Sequence, residues 1–386
     1  MDRTLATTMR ILCTFVGGLG HLAPLLPLAR AARAAGHEVA IAGSGGLVPR
    51  IEEAGFRAYG TSPQPHHAGV PASRDLTPLE VTDARAAEVE FAANFADRGA
   101  RRMAAAVPAV IEDFRPDLVL RDETDLGSTI AAELRDVPVA THLVLASGLL
   151  VRPELVGPVL DVVRAEHGLD PDPTLARLTS GLVLSDFPAS FRSPDSPLPV
   201  RPTHYRSGPA PERTGRAAGR PGVYVTLGTI FNKTSGDLFE RLLAGLADVE
   251  ADVVVTLGRE LDPADVGPQP RHVRVERFVP QAEVLPEVDL VVSHGGSGSL
   301  MAALAHGLPS VLVPLGADQP HNALRAGELG VATALCAATA TADDVADGVR
   351  TALADAAMAA RCRVVADEMR GQPGLDSAVS ALEGAV

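Results

Sequence analysis

The residues best suited to chemistry are concentrated in His294-Gly295-Gly296-Ser297-Gly298-Ser299 and, further on, Asp318-Gln319. An apolar run, Leu290-Val291-Val292, stops at the first group and passes into Leu300 to Ala305, closed by Gly307. That pattern predicts a strand, a tight glycine loop and a helix. Glycines let the backbone approach a ligand closely, and a helix start offers unpaired N–H groups carrying partial positive charge. Phosphate is the natural guest, with His294 as an added donor. A second apolar run, Val311-Leu312-Val313, delivers Asp318 and Gln319 to the same carboxyl-end edge of a parallel sheet, where such folds bind ligands. A carboxylate beside an amide suits sugar hydroxyls, because one accepts hydrogen bonds and the other both donates and accepts. A phosphate loop beside a hydroxyl reader implies a sugar nucleotide.

Three motifs follow in order: F-V-P-Q from Phe278, H-G-G-S-G-S from His294 and A-D-Q-P-H-N from Ala317. Together they resemble the donor signature of the family 1 nucleotide-sugar glycosyltransferases, especially the bacterial enzymes that decorate antibiotics and other natural products. The resemblance implies an α/β fold of the GT-B type, two doubly wound Rossmann-like domains facing across a cleft. The acceptor would be bound mainly by the first domain and the donor by the second. It also implies roles for single residues. Phe278 stacks on the base, Val279 bonds it through its backbone, Thr229, His294 and the loop Gly295 to Ser299 hold the diphosphate, and Asp318 and Gln319 hold the sugar. Where plant relatives carry a glutamate that bonds the ribose hydroxyls, this chain has Ala302, which favours a deoxyribose; Gln281 or Glu283 remains open as a ribose contact.

Upstream, Arg10 to Phe15 reads as a buried strand, Val16 to Gly20 as a glycine loop, Leu22 to Ala35 as a helix and His37 to Ala42 as the next strand. The loop is not G-x-G-x-x-G and the second strand ends without an acidic residue for a ribose, which argues against a dinucleotide-binding oxidoreductase. His21 stands at the ligand edge of this unit. A lone histidine is more often structural, but the resemblance implies that His21 is the general base that deprotonates the acceptor. Its partner aspartate is expected after the strand Pro116 to Leu120. Asp122 is favoured there because it comes first, and Glu123 and Asp125 are the alternatives. Residues 60 to 80, including His66, have loop composition and are expected to help form the acceptor pocket. A helix from Thr82 to Val107 brings Phe91, Phe95 and Met103 as an apolar wall, with core packing an equal reading, and His142 is assigned to the same pocket.

A chain of 386 residues with 46% hydrophobic content can bury two cores. The expected division is an acceptor-binding domain over 1–205, a linker over 206–221 rich in proline, glycine and arginine, and a sugar-nucleotide-binding domain over 222–386, with the last helix crossing back to the first domain. A net charge of −14 argues against nucleic acid or an anionic membrane as the main partner. Cys13, Cys336 and Cys362 fit no disulfide or metal pattern. With no leader-like or membrane-length apolar run, a cytoplasmic location is expected. Expected partners are the nucleotide sugar, a small-molecule acceptor and, at most, a second copy of the chain. The reading is a hexosyltransferase working by inverting, metal-independent transfer of a deoxyhexose from a dTDP sugar to a small apolar natural product, without a further cofactor. The alternatives are a GT-B epimerase, a transferase for lipid-linked wall precursors and a non-catalytic sugar-nucleotide-binding partner.

Overall fold

Strands buried on both faces read as continuous apolar runs, and the chain holds two sets of them, each closed into a wholly parallel sheet. The computed structural model describes residues 8–63, 75–211, 219–228 and 231–386; His66 and Thr229 lie outside them. The first set is β1 (Arg10–Thr14), β2 (Glu38–Gly43), β3 (Arg57–Gly60), β4 (Leu118–Asp122), β5 (Val139–His142), β6 (Leu182–Ser185) and β7 (Thr203–His204). They lie in the order β3-β2-β1-β4-β5-β6-β7. The second set is β8 (Gly222–Thr226), β9 (Asp252–Thr256), β10 (Val273–Glu276), β11 (Leu290–Ser293), β12 (Ser310–Leu312) and β13 (Ala332–Ala334), in the order β10-β9-β8-β11-β12-β13. These are the two doubly wound domains of the GT-B architecture.

Each sheet reverses its strand order once, between β1 and β4 in the first and between β8 and β11 in the second. At such a switch point the two connecting segments leave in opposite directions and open a crevice at the carboxyl ends of the strands. Register sets which residues line it. Thr14 pairs with Arg121 and Thr226 with Ser293, so the loop after Thr14 meets the loop after Arg121, and Gly228 meets His294.

Two further features bear on the site. The long helix expected after Thr82 is built in three pieces: an α-helix, Ala84–Phe91, capped by the Asp83 side chain; a π-helical stretch, Ala92–Gly99; and an α-helix, Ala100–Phe114. Wider π turns of this kind recur at functional sites. The last helix, Leu375–Glu383, inserts Ala378, Val379 and Leu382 into the first domain's core beside Ile11 and Leu25, and Glu383 lies 3.2 Å from His37. Among the described residues no helix is long and apolar enough to cross a membrane.

Candidate active site

At the first switch point the helix Leu19–Ala34 begins, and His21 in its first turn reaches across to the loop after β4. Its Nδ1 lies 2.8 Å from Asp122 Oδ2 and 3.0 Å from Thr124 Oγ1. The Asp122 side chain is wholly buried, while that of His21 keeps a fifth of its surface open. Asp122 Oδ1 accepts from the backbone N–H of Thr124 (2.9 Å) and Asp125 (2.6 Å) and from Thr124 Oγ1 (2.9 Å). A carboxylate can only accept, so Nδ1 carries the proton and Nε2 keeps its lone pair. Burial by itself lowers the His21 pKa, but the hydrogen bond and charge of Asp122, with Asp318 adding across the cleft, leave it above the ordinary value. The N–H groups of Ala146 and Ser147, in the first domain, bond Ser297 Oγ at 2.9 Å and Asn322 Oδ1 at 3.3 Å, so the second switch point is seated against the first domain.

The neighbouring acids have other work. Glu123 Oε2 accepts from the backbone N–H of Val144 and Leu145, and Asp125 holds the Ser128 N–H and hydroxyl. The fully buried Arg121 fastens the loop from beneath, with Nη1 on the carbonyls of Asp122 and Glu123 and Nη2 on that of Leu178. Gly17, with φ at +118°, makes room for the His21 ring: a methyl there would lie 2.4 Å from His21 Cδ2.

Of the residues expected at the acceptor, Phe95 has its ring centre 5.7 Å from that of His21. Phe91 stacks behind it at 4.8 Å and is itself buried, as is Met103, so both belong to the core. His142 is a correction. It is fully buried, its Nε2 bonded to the Tyr205 hydroxyl at 2.7 Å and its pKa lowered, by burial above all, so no ligand in the cleft can touch it.

At the second switch point the His294 ring is wedged between two glycines. A Cβ on Gly228 would lie 2.7 Å from its Cε1, and one on Gly296 would lie 2.6 Å from its Nε2. Burial drives its pKa down to about 4, with Asp318 and the Thr226 carbonyl opposing, so the ring is neutral near pH 7. Gly295 turns at φ +82° and the helix Ser297–Ala305 starts there, with Gly298 exposed. Gln281 Nε2 donates to Ser299 Oγ at 3.2 Å, joining the F-V-P-Q motif to the helix start.

Ser297 is a second correction. Its hydroxyl donates to Asp318 Oδ2 (2.6 Å) and accepts from the Ala146 N–H (2.9 Å) and Asn322 Nδ2 (3.2 Å), which exhausts a hydroxyl's capacity. It clamps the two domains together and has nothing left for a donor. Asp318 Oδ2 also accepts from the Ser297 N–H and from Asn322 Nδ2, so Oδ2 is committed within the protein. The Gln319 amide oxygen accepts from the backbone N–H of Leu315 and Gly316, which restricts that side chain to donating. Phe278 is 43% exposed, and the Arg259 guanidinium lies 3.6 Å over its ring, covering one face. Val279 lines a groove of about 590 Å³ beside it. Sequence reasoning missed Thr124, Arg121, Asn322 and Arg259. Only Asn322 carried a signal, its place in the A-D-Q-P-H-N motif. Among the described residues no group of three or more His, Cys, Asp or Glu side chains is arranged to hold a metal ion.

The chain matches the model of the erythromycin biosynthesis protein CIII-like N-terminal domain over residues 30–196 and that of the corresponding C-terminal domain over 240–384. The L-demethylnoviosyl transferase of Streptomyces niveus is 32% identical over 340 residues, 85% of this chain and 85% of that protein. Among solved structures, the glycosyltransferase SnogD from Streptomyces nogalater superposes with a TM-score of 0.73 at 28% identity, covering 98% of this chain and 99% of that one. The Streptomyces sp. SF2575 glycosyltransferase SsfS6, solved with thymidine diphosphate, gives 0.73 at 26% identity, covering 98% and 100%. Fold and relatives define the class: a glycosyltransferase that moves a sugar from a nucleotide donor to an acceptor. Within it, the chain belongs to the CIII-like family of bacterial natural-product glycosyltransferases.

The place of Gly17 yields a first prediction. Gly17→Ala should strain a left-handed backbone and push the His21 ring aside, lowering turnover by at least about tenfold, since small misplacements of reacting groups are costly. Nucleotide binding in the second domain should be unchanged. Steady-state turnover beside nucleotide titration checks this, and wild-type turnover would show that the ring tolerates the methyl.

Proposed function

We propose that the protein transfers a deoxyhexose from a thymidine diphosphate sugar to a small apolar natural-product acceptor, with inversion, and with no metal ion or cofactor beyond the donor. The observation that carries the reading is the His21–Asp122 pair, 2.8 Å apart at the first switch point.

The acceptor, held against Phe95, places its nucleophilic oxygen at His21 Nε2. That oxygen attacks the anomeric carbon from the face opposite the diphosphate while Nε2 takes its proton, and the new imidazolium is stabilised by the buried charge of Asp122. The bond to the diphosphate breaks on the other side. Negative charge growing there meets the N–H groups at the start of the Ser297–Ala305 helix, while the neutral His294 ring, whose one N–H is drawn to the Thr226 carbonyl, packs between its glycines and holds the loop in shape. Donors already in place need not reorganise, so the step calls on no metal. The uncommitted Asp318 oxygen and the Gln319 amide N–H groups are assigned to the sugar hydroxyls, and the open face of Phe278 to the base.

Two observations support a thymidine nucleotide. SsfS6 was solved with thymidine diphosphate. Ala302 packs against the apolar cluster around Tyr224 and Val291 and offers no acceptor to a ribose 2′-hydroxyl. The preference is worth about 1 kcal/mol, the net value of one hydrogen bond, or about fivefold in affinity. Titrating the protein with thymidine and uridine diphosphates under identical conditions tests it. Tighter binding of the uridine nucleotide, or binding of neither, would overturn the donor assignment.

A further inference from the structure

Glu88 is one of the most deeply buried carboxylates in the described chain, 4% exposed, on the helix Ala84–Phe91 of the first domain. Burial pushes its pKa up, but hydrogen bonds from Arg85 (2.9 Å) and Arg152 (2.7 Å) more than offset this and keep it below the ordinary carboxylate range. It is a charge held inside the protein. Facing it across the domain boundary, at 3.6 Å, is Nε2 of His321, a residue 3% exposed whose ring also bonds the backbone of Ala84 at the start of the same helix. His321 is on the helix Gln319–Glu328, three residues after Asp318 and two after Gln319.

The segment leading into the Glu88 helix is also seated on the second domain. The Asp75 N–H bonds the Lys233 carbonyl at 2.7 Å, the Thr82 hydroxyl bonds the Pro314 carbonyl at 3.0 Å, and Leu79 packs against the second domain's core. One turn beyond Glu88 comes Phe91, stacked on Phe95, which lies against His21. A continuous set of contacts therefore joins the proposed sugar-reading residues to the proposed base through the acceptor wall.

We infer that Glu88 and His321 form a positioning contact that fixes the acceptor wall to the donor-reading helix, so that nucleotide bound to the second domain orders the acceptor side of the first. The inference rests on the proposed donor reading. Neither residue touches the reacting atoms. A burial requirement alone would not place a charged carboxylate opposite a buried histidine across the domain boundary, since an apolar pair would fill the same space at lower cost.

The test is hydrogen exchange on the full chain with and without saturating thymidine diphosphate, with nucleotide affinity measured separately. In the wild type the nucleotide is expected to slow exchange of amides in 84–99 at least threefold, although none of them belongs to the domain that binds it. His321→Gln leaves Glu88 with Arg85 and Arg152 and should fold; it should bind the nucleotide within about threefold of wild type while losing most of that slowing. Glu88→Gln, where it folds, should behave alike. Slowing retained in His321→Gln would overturn the inference, as would a wild type that binds the nucleotide with no change in 84–99. A wild type that binds no nucleotide would overturn the donor reading and the inference with it, and the separate affinity measurement tells the two failures apart.

Discussion

His21→Ala is expected to lower turnover at least about a hundredfold, about 2.7 kcal/mol of transition-state stabilisation, while leaving thymidine diphosphate affinity within about twofold. The size follows from what His21 does in the proposed step. A neutral hydroxyl attacking without a base must develop positive charge on its oxygen. Asp122 is fully buried behind His21 and bonded by Thr124 and Asp125. The selectivity follows from location. His21 stands in the first turn of the helix that follows β1, whereas the groups assigned to the nucleotide follow β10 and β11. Steady-state kinetics beside isothermal titration separate the two effects. Turnover within about threefold of wild type would remove His21 from the mechanism, and a matching loss of nucleotide affinity would show that its role is to hold the domains together.

The parts of this site legible in the sequence are those whose chemistry is local. Gly295, Gly296 and His294 are contiguous, and a strand that stops at two glycines before a helix leaves few conformations. The same holds for Gly17 and His21. What was not legible depends on contacts between distant segments. In a parallel sheet covered on both sides, every position of a strand is buried, so alternation does not separate His142, which faces Tyr205 in the core, from a residue facing the cleft. Ser297 has the composition of a phosphate-loop serine, yet its hydroxyl is taken by Asp318 and by the Ala146 N–H, and that arrangement exists only once the domains are apposed. The π-helical turns of Ala92–Gly99 have no sequence period that separates them from α-helix, and they carry Phe95, the phenylalanine whose ring lies beside His21. Glu88 in a helix reads as a solvated charge, the usual fate of glutamate, because the Arg152 and His321 that enclose it are far off in the chain.

Asp122→Asn should cost about as much as removing His21 itself, on the order of a hundredfold in turnover, because the substituted amide can sit in only one orientation. The Oδ1 position of Asp122 receives three donors, the Thr124 N–H at 2.9 Å, the Asp125 N–H at 2.6 Å and the Thr124 hydroxyl at 2.9 Å, so asparagine must place its oxygen there. Its NH₂ then occupies the Oδ2 position, 2.8 Å from His21 Nδ1, and donates to it. Nδ1 becomes the acceptor, the proton of the neutral ring moves to Nε2, and the lone pair that would take the acceptor's proton is gone. The pH dependence should move as well. In the wild type the His21 pKa lies above its ordinary 6.5, so kcat/KM should rise with pH along a limb centred above that value, as the base loses its proton. In the variant, burial acts on His21 without the hydrogen bond and charge of Asp122, so the limb should shift to lower pH. Stability carries the same sign. A histidine whose folded pKa is raised contributes stability present in full below its unfolded pKa and lost as pH rises through the folded value. The wild type should therefore exceed Asp122→Asn in thermal stability by more at pH 6 than at pH 9. A variant with wild-type turnover, or with its acid limb unmoved, would detach Asp122 from the base.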